Sequence, residues 1–207
     1  MIISTKNKHL HVHVPKTGGT SFRRNMLKHE DWEGLGHHTP LDVCLNIRPE
    51  LRDFYKTTMI RNPWEHAVSF YIYLLHKPHF NIHDFDKSID KEGYVDVNPK
   101  DVTFEKYITS TYVKNHGQRH IIQEYEDENI VFDKWFNYAE YDKMLTYMEQ
   151  RYSISLNKNL RIFDRKELDL VIDIDLNKAY QEYYNENTYN LVKQISPRVI
   201  EIFDYKF

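Results

Sequence analysis

The chain opens with alternation. From His9 to Val14, Leu10, Val12 and Val14 fall on one side and His9, His11 and His13 on the other, the period-two pattern of a strand. Pro15-Lys16-Thr17-Gly18-Gly19-Thr20-Ser21 breaks the pattern. A helical period follows over residues 20–29, with Phe22 and Met26 inward. Residues 30–40 read as a loop rich in Gly and His, residues 40–53 as helix, and residues 56–60 as a second strand. Asn62 then suits a helix N-cap, Pro63 the first helical position and Glu65 the place three past the cap. Behind them apolar residues recur at 64, 67, 68, 71, 74 and 75, an amphipathic period. Two successive strand–turn–helix units predict parallel strands with right-handed crossovers. The expected fold is therefore three-layer α/β, a central parallel sheet of about four or five strands with helices on both faces.

Further along, residues 77–100 are polar and irregular and read as a surface insertion. Helices are predicted near 103–112 and 139–151, the latter with Tyr141, Met144, Leu145 and Met148 on one face. Helical character returns from 178 to 195, and Ser196-Pro197 starts a final turn ending at Phe203. No repeat or Pro/Gly-rich linker interrupts the 207 residues, so a single domain, 1–207, is expected.

Composition narrows the function classes. Hydrophobic residues make up 41% and charged residues 29%, which is globular. A net charge of −3 implies no general attraction to nucleic acid or anionic membrane. No apolar run reaches the ~18 residues of a membrane span, and residues 1–8 lack the apolar region of a signal peptide. Cys44 is the single cysteine, so no intrachain disulfide can form. A cytoplasmic protein is expected. The three histidines at spacing two look like metal ligands, but no Cys, Asp or Glu lies near in sequence to complete a set; they read as strand residues packed under helices, with no metal.

The chemistry concentrates at the first turn. A strand ending in a glycine turn at a helix N-terminus offers free N–H groups and the positive end of the helix dipole to an anion. Gly18 and Gly19 let the backbone approach it. Lys16 adds a full charge, and Thr17, Thr20 and Ser21 add hydroxyls. The nucleotide triphosphatase loop carries its lysine after the glycines, whereas here the lysine comes first. At the second turn Arg61 leaves the C-terminal end of a strand, where ligands gather in open α/β sheets, and its guanidinium suits paired bonds to a phosphate. Ser69 follows two helical turns on and can offer a hydroxyl to the same phosphate.

Pro15-Lys16-Thr17-Gly18-Gly19-Thr20-Ser21 resembles the 5′-phosphosulfate loop of sulfotransferases that use 3′-phosphoadenosine 5′-phosphosulfate (PAPS), in the carbohydrate branch with the heparan 2-O- and 6-O-enzymes. The run Ile60-Arg61-Asn62-Pro63, with Ser69 beyond it, resembles that family's 3′-phosphate motif. Tyr183 to Thr188 and the final helix resemble the family's C-terminal helices. The resemblance implies a P-loop-NTPase-like fold with PAPS as donor and 3′-phosphoadenosine 5′-phosphate (PAP) as product. Lys16, Thr17, Gly18, Gly19, Thr20 and Ser21 would hold the 5′ group and Arg61 and Ser69 the 3′-phosphate. Lys16 would offset charge on the leaving phosphate, so no metal is expected. Relatives place a basic histidine between the two motifs, which here implies His38, then His37, with Glu30, Asp31 and Glu33 near enough in sequence to orient or replace it.

The implied partner is a hydroxyl-bearing acceptor, first of all a saccharide, with the 77–100 insertion shaping its cleft. Departures from the family are plain: residues 77–135 match poorly, and Asn137 stands where an arginine is usual. Arg23 and Arg24 follow the loop on its helix, as candidates for a phosphate or an anionic acceptor and otherwise a solvated face. Gln118, Arg119 and the run Arg161 to Lys166 are weaker nucleotide candidates, and Trp64 and Trp135 read as core. Two other classes compete: a P-loop-like nucleotide kinase or triphosphatase, and a catalytically inactive nucleotide-binding interaction protein on the same fold.

Overall fold

A computed structural model describes residues 1–36, 39, 41–75, 103–109, 131–160 and 178–207. The expected insertion at 77–100 lies outside them. Among the described residues are five strands and seven α-helices. The strands are β1 (Ile2–Ser4), β2 (His9–Val12), β3 (Glu33–Gly34), β4 (Tyr55–Ile60) and β5 (Lys134–Asn137). The helices are α1 (Gly19–Met26), α2 (Leu41–Ile47), α3 (Pro63–Leu75), α4 (Phe104–Thr109), α5 (Tyr141–Tyr152), α6 (Glu186–Ile195) and α7 (Pro197–Phe203). Chain contacts divide the structure into two compact units, Met1–Arg61 with Asp127–Ile162, and Asn62–Glu126 with Phe163–Phe207.

The first unit holds the sheet, ordered β3-β1-β2-β4-β5. β2, β4 and β5 run parallel, as the two strand–turn–helix units predict. The sheet as a whole is mixed, because β1 pairs antiparallel with β2 and β3 pairs antiparallel with β1. The wholly parallel sheet expected from sequence is corrected here: the edge hairpin of β1 and β2 needs only the short turn at residues 5–8, and hairpins of that kind are antiparallel. Residues 30–40, expected as loop alone, supply the two-residue β3.

Register assigns the faces. Ile2, His11, Thr57 and Lys134 stand opposite one another across four strands, and Met59 opposite Phe136. This histidine face carries α1 and α5: Phe22 and Met26 pack with Ile2, Met59, Phe136, Tyr141, Met144, Leu145 and Met148. Full burial of each such side chain is worth roughly 1.5–3 kcal/mol. Leu10, Val12 and Val14 are buried on the opposite face.

The histidines are core residues. His9 and His11 are 0% and 2% exposed. The Thr57 hydroxyl bridges them, 2.8 Å from His9 Nε2 and 2.9 Å from His11 Nδ1. With one proton to give, it donates to one ring and accepts from the other. His9 Nδ1 is hydrogen-bonded to the Tyr152 hydroxyl, and His11 packs edge-on against Phe22. Burial first, then the charge of Arg151, pushes the His9 imidazole down to about 3. Burial, then His9, His13 and the amino terminus, holds His11 well below the ordinary histidine range. Among the described residues no group of three or more His, Cys, Asp or Glu is arranged to hold a metal ion.

The second unit is helical among its described residues. Asn62 caps α3, its Oδ1 accepting from Trp64 N at 3.0 Å and Glu65 N at 3.3 Å. The buried face of α3 (Trp64, Ala67, Val68, Tyr71, Ile72, Leu75) packs with Phe104, Tyr107 and Ile108 of α4 and Val192 of α6. Trp64 stacks on Tyr189 at 5.3 Å and donates its Nε1–H to the Tyr189 carbonyl at 3.2 Å. No helix among the described residues is long and apolar enough to cross a membrane.

Two expectations follow. As pH falls below 6.5, the unfolded chain takes protons at residues 9 and 11 while the folded chain resists them, at His9 down to about 3. Stability therefore falls in that window, by up to ~1.4 kcal/mol per pH unit for each histidine. Urea midpoints at pH 7 and pH 5 read this directly; His11→Asn should flatten the dependence, and an unchanged slope would remove His11 as its source. Asn62→Ala should cost ~1 kcal/mol through loss of the cap. A denaturation midpoint identical to wild type would show the cap to be idle.

Candidate functional site

Three parallel strands end on one edge of the first unit, and the three segments leaving them meet there. The first is the loop from His13 to Gly18, between β2 and α1. Lys16 adopts φ +62° and Gly18 φ +75°, both left-handed. For Gly18 this costs nothing, whereas for lysine it is strained backbone of the kind that clusters at ligand sites. The Thr17 side chain is buried and donates its hydroxyl to the Val14 carbonyl at 2.9 Å, pinning the loop to the strand end. No side chain caps α1 and no acidic residue lies in its first turn, so the positive end of the helix faces no carboxylate of its own.

Both glycines are required sterically. A Cβ on Gly19 would lie 1.8 Å from Cδ2 and 2.1 Å from Nε2 of the His13 ring. A Cβ on Gly18 would lie 2.8 Å from the Tyr141 ring and 3.3 Å from that of Tyr138. The backbone at 18–19 thus runs between rings with no room for side chains.

The second segment is Arg61, which follows β4. Its Nη1 donates to the Lys16 carbonyl at 3.2 Å, and its guanidinium lies 4.5 Å over the Tyr138 ring. A guanidinium carries five donors in a rigid fork, so this bond is compatible with paired contacts to an oxyanion. The third segment follows β5: Asn137 Oδ1 accepts from Ala139 N at 3.0 Å, turning the chain into α5. Tyr138 then lies under Arg61, and the Tyr141 hydroxyl donates to the Gly18 carbonyl at 3.4 Å.

The structure therefore brings Lys16, Thr17, Gly18, Gly19, Thr20, Ser21 and Arg61 into one unit. Ser69 belongs to the other, buried in α3. His37 and His38 lie outside the described residues, as do Gln118, Arg119 and 161–166. The nearby carboxylates stand at the surface: Asp31 pairs with Lys6 at 2.9 Å, Glu33 with Arg48 at 3.7 Å, and Glu30 is exposed. Arg24 is exposed and Arg23 half-buried. Trp64 is core and Trp135 half-buried. Sequence reasoning missed His13 and Tyr138 as loop supports. His13 gave no signal beyond its alternation, and the role of Tyr138 depends on β5, whose four residues show too little pattern to be read.

What the arrangement can do is bind an oxyanion. The amino end of α1, the backbone of Lys16 and the Arg61 guanidinium bonded to it meet where parallel strands end. Comparisons of the chain with protein-family models, curated proteins and solved structures find no match.

The steric claim is testable by a double-mutant cycle. Gly19→Ala should cost about 1–3 kcal/mol from overpacking. In a His13→Ala background the cost should shrink by at least about 1 kcal/mol, because the obstructing ring is gone. Strict additivity would show that the ring is not the obstacle.

Proposed function

We propose that the chain is a PAPS-dependent sulfotransferase that transfers a sulfuryl group to an acceptor hydroxyl, first of all a saccharide hydroxyl. One observation carries this reading: the lysine-first glycine loop at the end of β2 is tied through the Lys16 carbonyl to Arg61 at the end of parallel β4. The two motifs that resemble the family's 5′ and 3′ phosphate sites are neighbours, as a single nucleotide bridging both requires. The parallel β2, β4 and β5 likewise support a P-loop-NTPase-like sulfotransferase fold.

The donor set fits the nucleotide's two anionic ends. Bound PAPS would supply the activated sulfuryl group; the rest falls to the chain. The amides of residues 18–21 and the Lys16 ammonium would bind the 5′ end. There Lys16 offsets the negative charge that accumulates on the phosphate as the reaction proceeds. The Thr17 hydroxyl proton is committed to Val14, so its part is to hold the loop rather than to donate outward. Arg61 would take the 3′-phosphate with its fork. His38, or His37, would accept the acceptor's proton near neutral pH.

Calorimetry with PAP tests the donor site. PAP should bind, and Lys16→Ala and Arg61→Ala should each weaken it by about tenfold or more, the range for losing a charged hydrogen bond. ATP should bind far more weakly. Equal affinity for ATP would favour a kinase or triphosphatase, and an Arg61→Ala protein that is folded by circular dichroism yet keeps full PAP affinity would contradict the assignment.

A further inference from the structure

Three arginines of the first unit each have at least one donor engaged. Arg48 meets Glu50 at 2.7 Å and Glu33 at 3.7 Å. Arg61 is bonded to the Lys16 carbonyl. Arg151 donates to the hydroxyls of Tyr152 at 2.9 Å and Tyr147 at 3.2 Å, and lies 4.0 Å over the Tyr55 ring. The Nε of Arg23 is buried with no hydrogen-bond partner among the described residues. A buried N–H without a partner costs stability, and such a group in a folded protein asks for a reason.

Space has been made for it. Its guanidinium lies against Gly34 of β3, where a Cβ would fall 2.3 Å from Nη2. Arg23 is also one helical turn beyond Gly19, on the helix whose start forms the oxyanion loop.

Its position in the sheet indicates which ligand it would meet. In the order β3-β1-β2-β4-β5, the loop leaves β2 and Arg61 leaves β4, one strand to one side. Gly34 lies on β3, two strands to the other side, about 10 Å by the usual spacing. A donor held by the loop and by Arg61 extends from β2 toward β4. In-line displacement brings the nucleophile from the side opposite the leaving group, which is the side of β1 and β3. The net charge of −3 supplies no broad basic field for a polyanion. One guanidinium fork reads one oxyanion.

We propose that Arg23 is the acceptor-specificity residue: it recognises an oxyanion, a carboxylate in the first instance, on a small hydroxyl-bearing acid. The inference rests on the sulfotransferase reading and narrows its acceptor to hydroxyl compounds that carry an acid group.

Gluconate and glucitol test it, since both carry a run of hydroxyls and differ in a carboxylate against a hydroxymethyl group. Their dissociation constants are measured by ligand-detected NMR on the protein saturated with PAP, for wild type, Arg23→Met and Arg23→Lys. Wild type should prefer gluconate by about tenfold or more. Arg23→Met should bring the ratio to within about twofold and leave PAP affinity intact; Arg23→Lys should keep part of the preference. A wild type without the preference, or an Arg23→Met protein that retains it, overturns the proposal while the donor site stands. Loss of PAP affinity in both variants would put Arg23 in the donor site or the fold and also overturn it. Failure of wild type to bind PAP removes the sulfotransferase reading together with this inference.

Discussion

The passage of the backbone at Gly18 and Gly19 between the rings of His13, Tyr138 and Tyr141 is the constraint on which the edge of the sheet depends. It brings the start of α1 down onto the end of β2. It also places the Lys16 carbonyl where Arg61 reaches it from β4. Arg61 is in turn backed by Tyr138, which follows β5. Three strand ends are thereby locked through one peptide segment, and the strained φ of Lys16 is held by bonds on both sides of it: Arg61 at its own carbonyl and Thr17 at Val14. Pre-organisation of this kind suits a site that must meet an anion without rearranging.

Beneath the loop the same strand carries a polar core. His9, Thr57, His11 and Tyr152 satisfy one another where aliphatic residues would ordinarily pack. Such a network is worth most when complete, because in a low dielectric each unsatisfied member is costly. It fixes the register of β2 on β4, since His9 and His11 reach one hydroxyl only when Thr57 stands opposite His11.

Much of this was legible in the chain. Asn62, Pro63 and Glu65 announced the start of α3, and the alternation of residues 9–14 gave both faces of β2. The turn between β2 and α1 was recognisable because Pro15, Gly18 and Gly19 break the alternation locally. What escaped depends on partners distant in sequence. β1 and β3 have three and two residues, too few to show a period, and exist because they pair. β5 is a strand because β4 lies beside it. The expected helix over 40–53 is instead α2 and a separate 3₁₀ turn, Pro49–Asp53. Pro49 carried that signal, because the residue before a proline is driven out of the helical region, and Arg48 has φ −128° and ψ 75°. The tie between Arg61 and Lys16 spans 45 positions and has no trace in either segment alone.

The central claim is that the amides at the start of α1 are the oxyanion site. Amide chemical-shift mapping on ¹⁵N-labelled protein, titrated with PAP, tests it most directly. The account predicts that the largest shifts fall on Gly18, Gly19, Thr20 and Ser21, with the Arg61 guanidinium moving alongside them. Shifts confined to other segments, or none at saturating PAP, would contradict it.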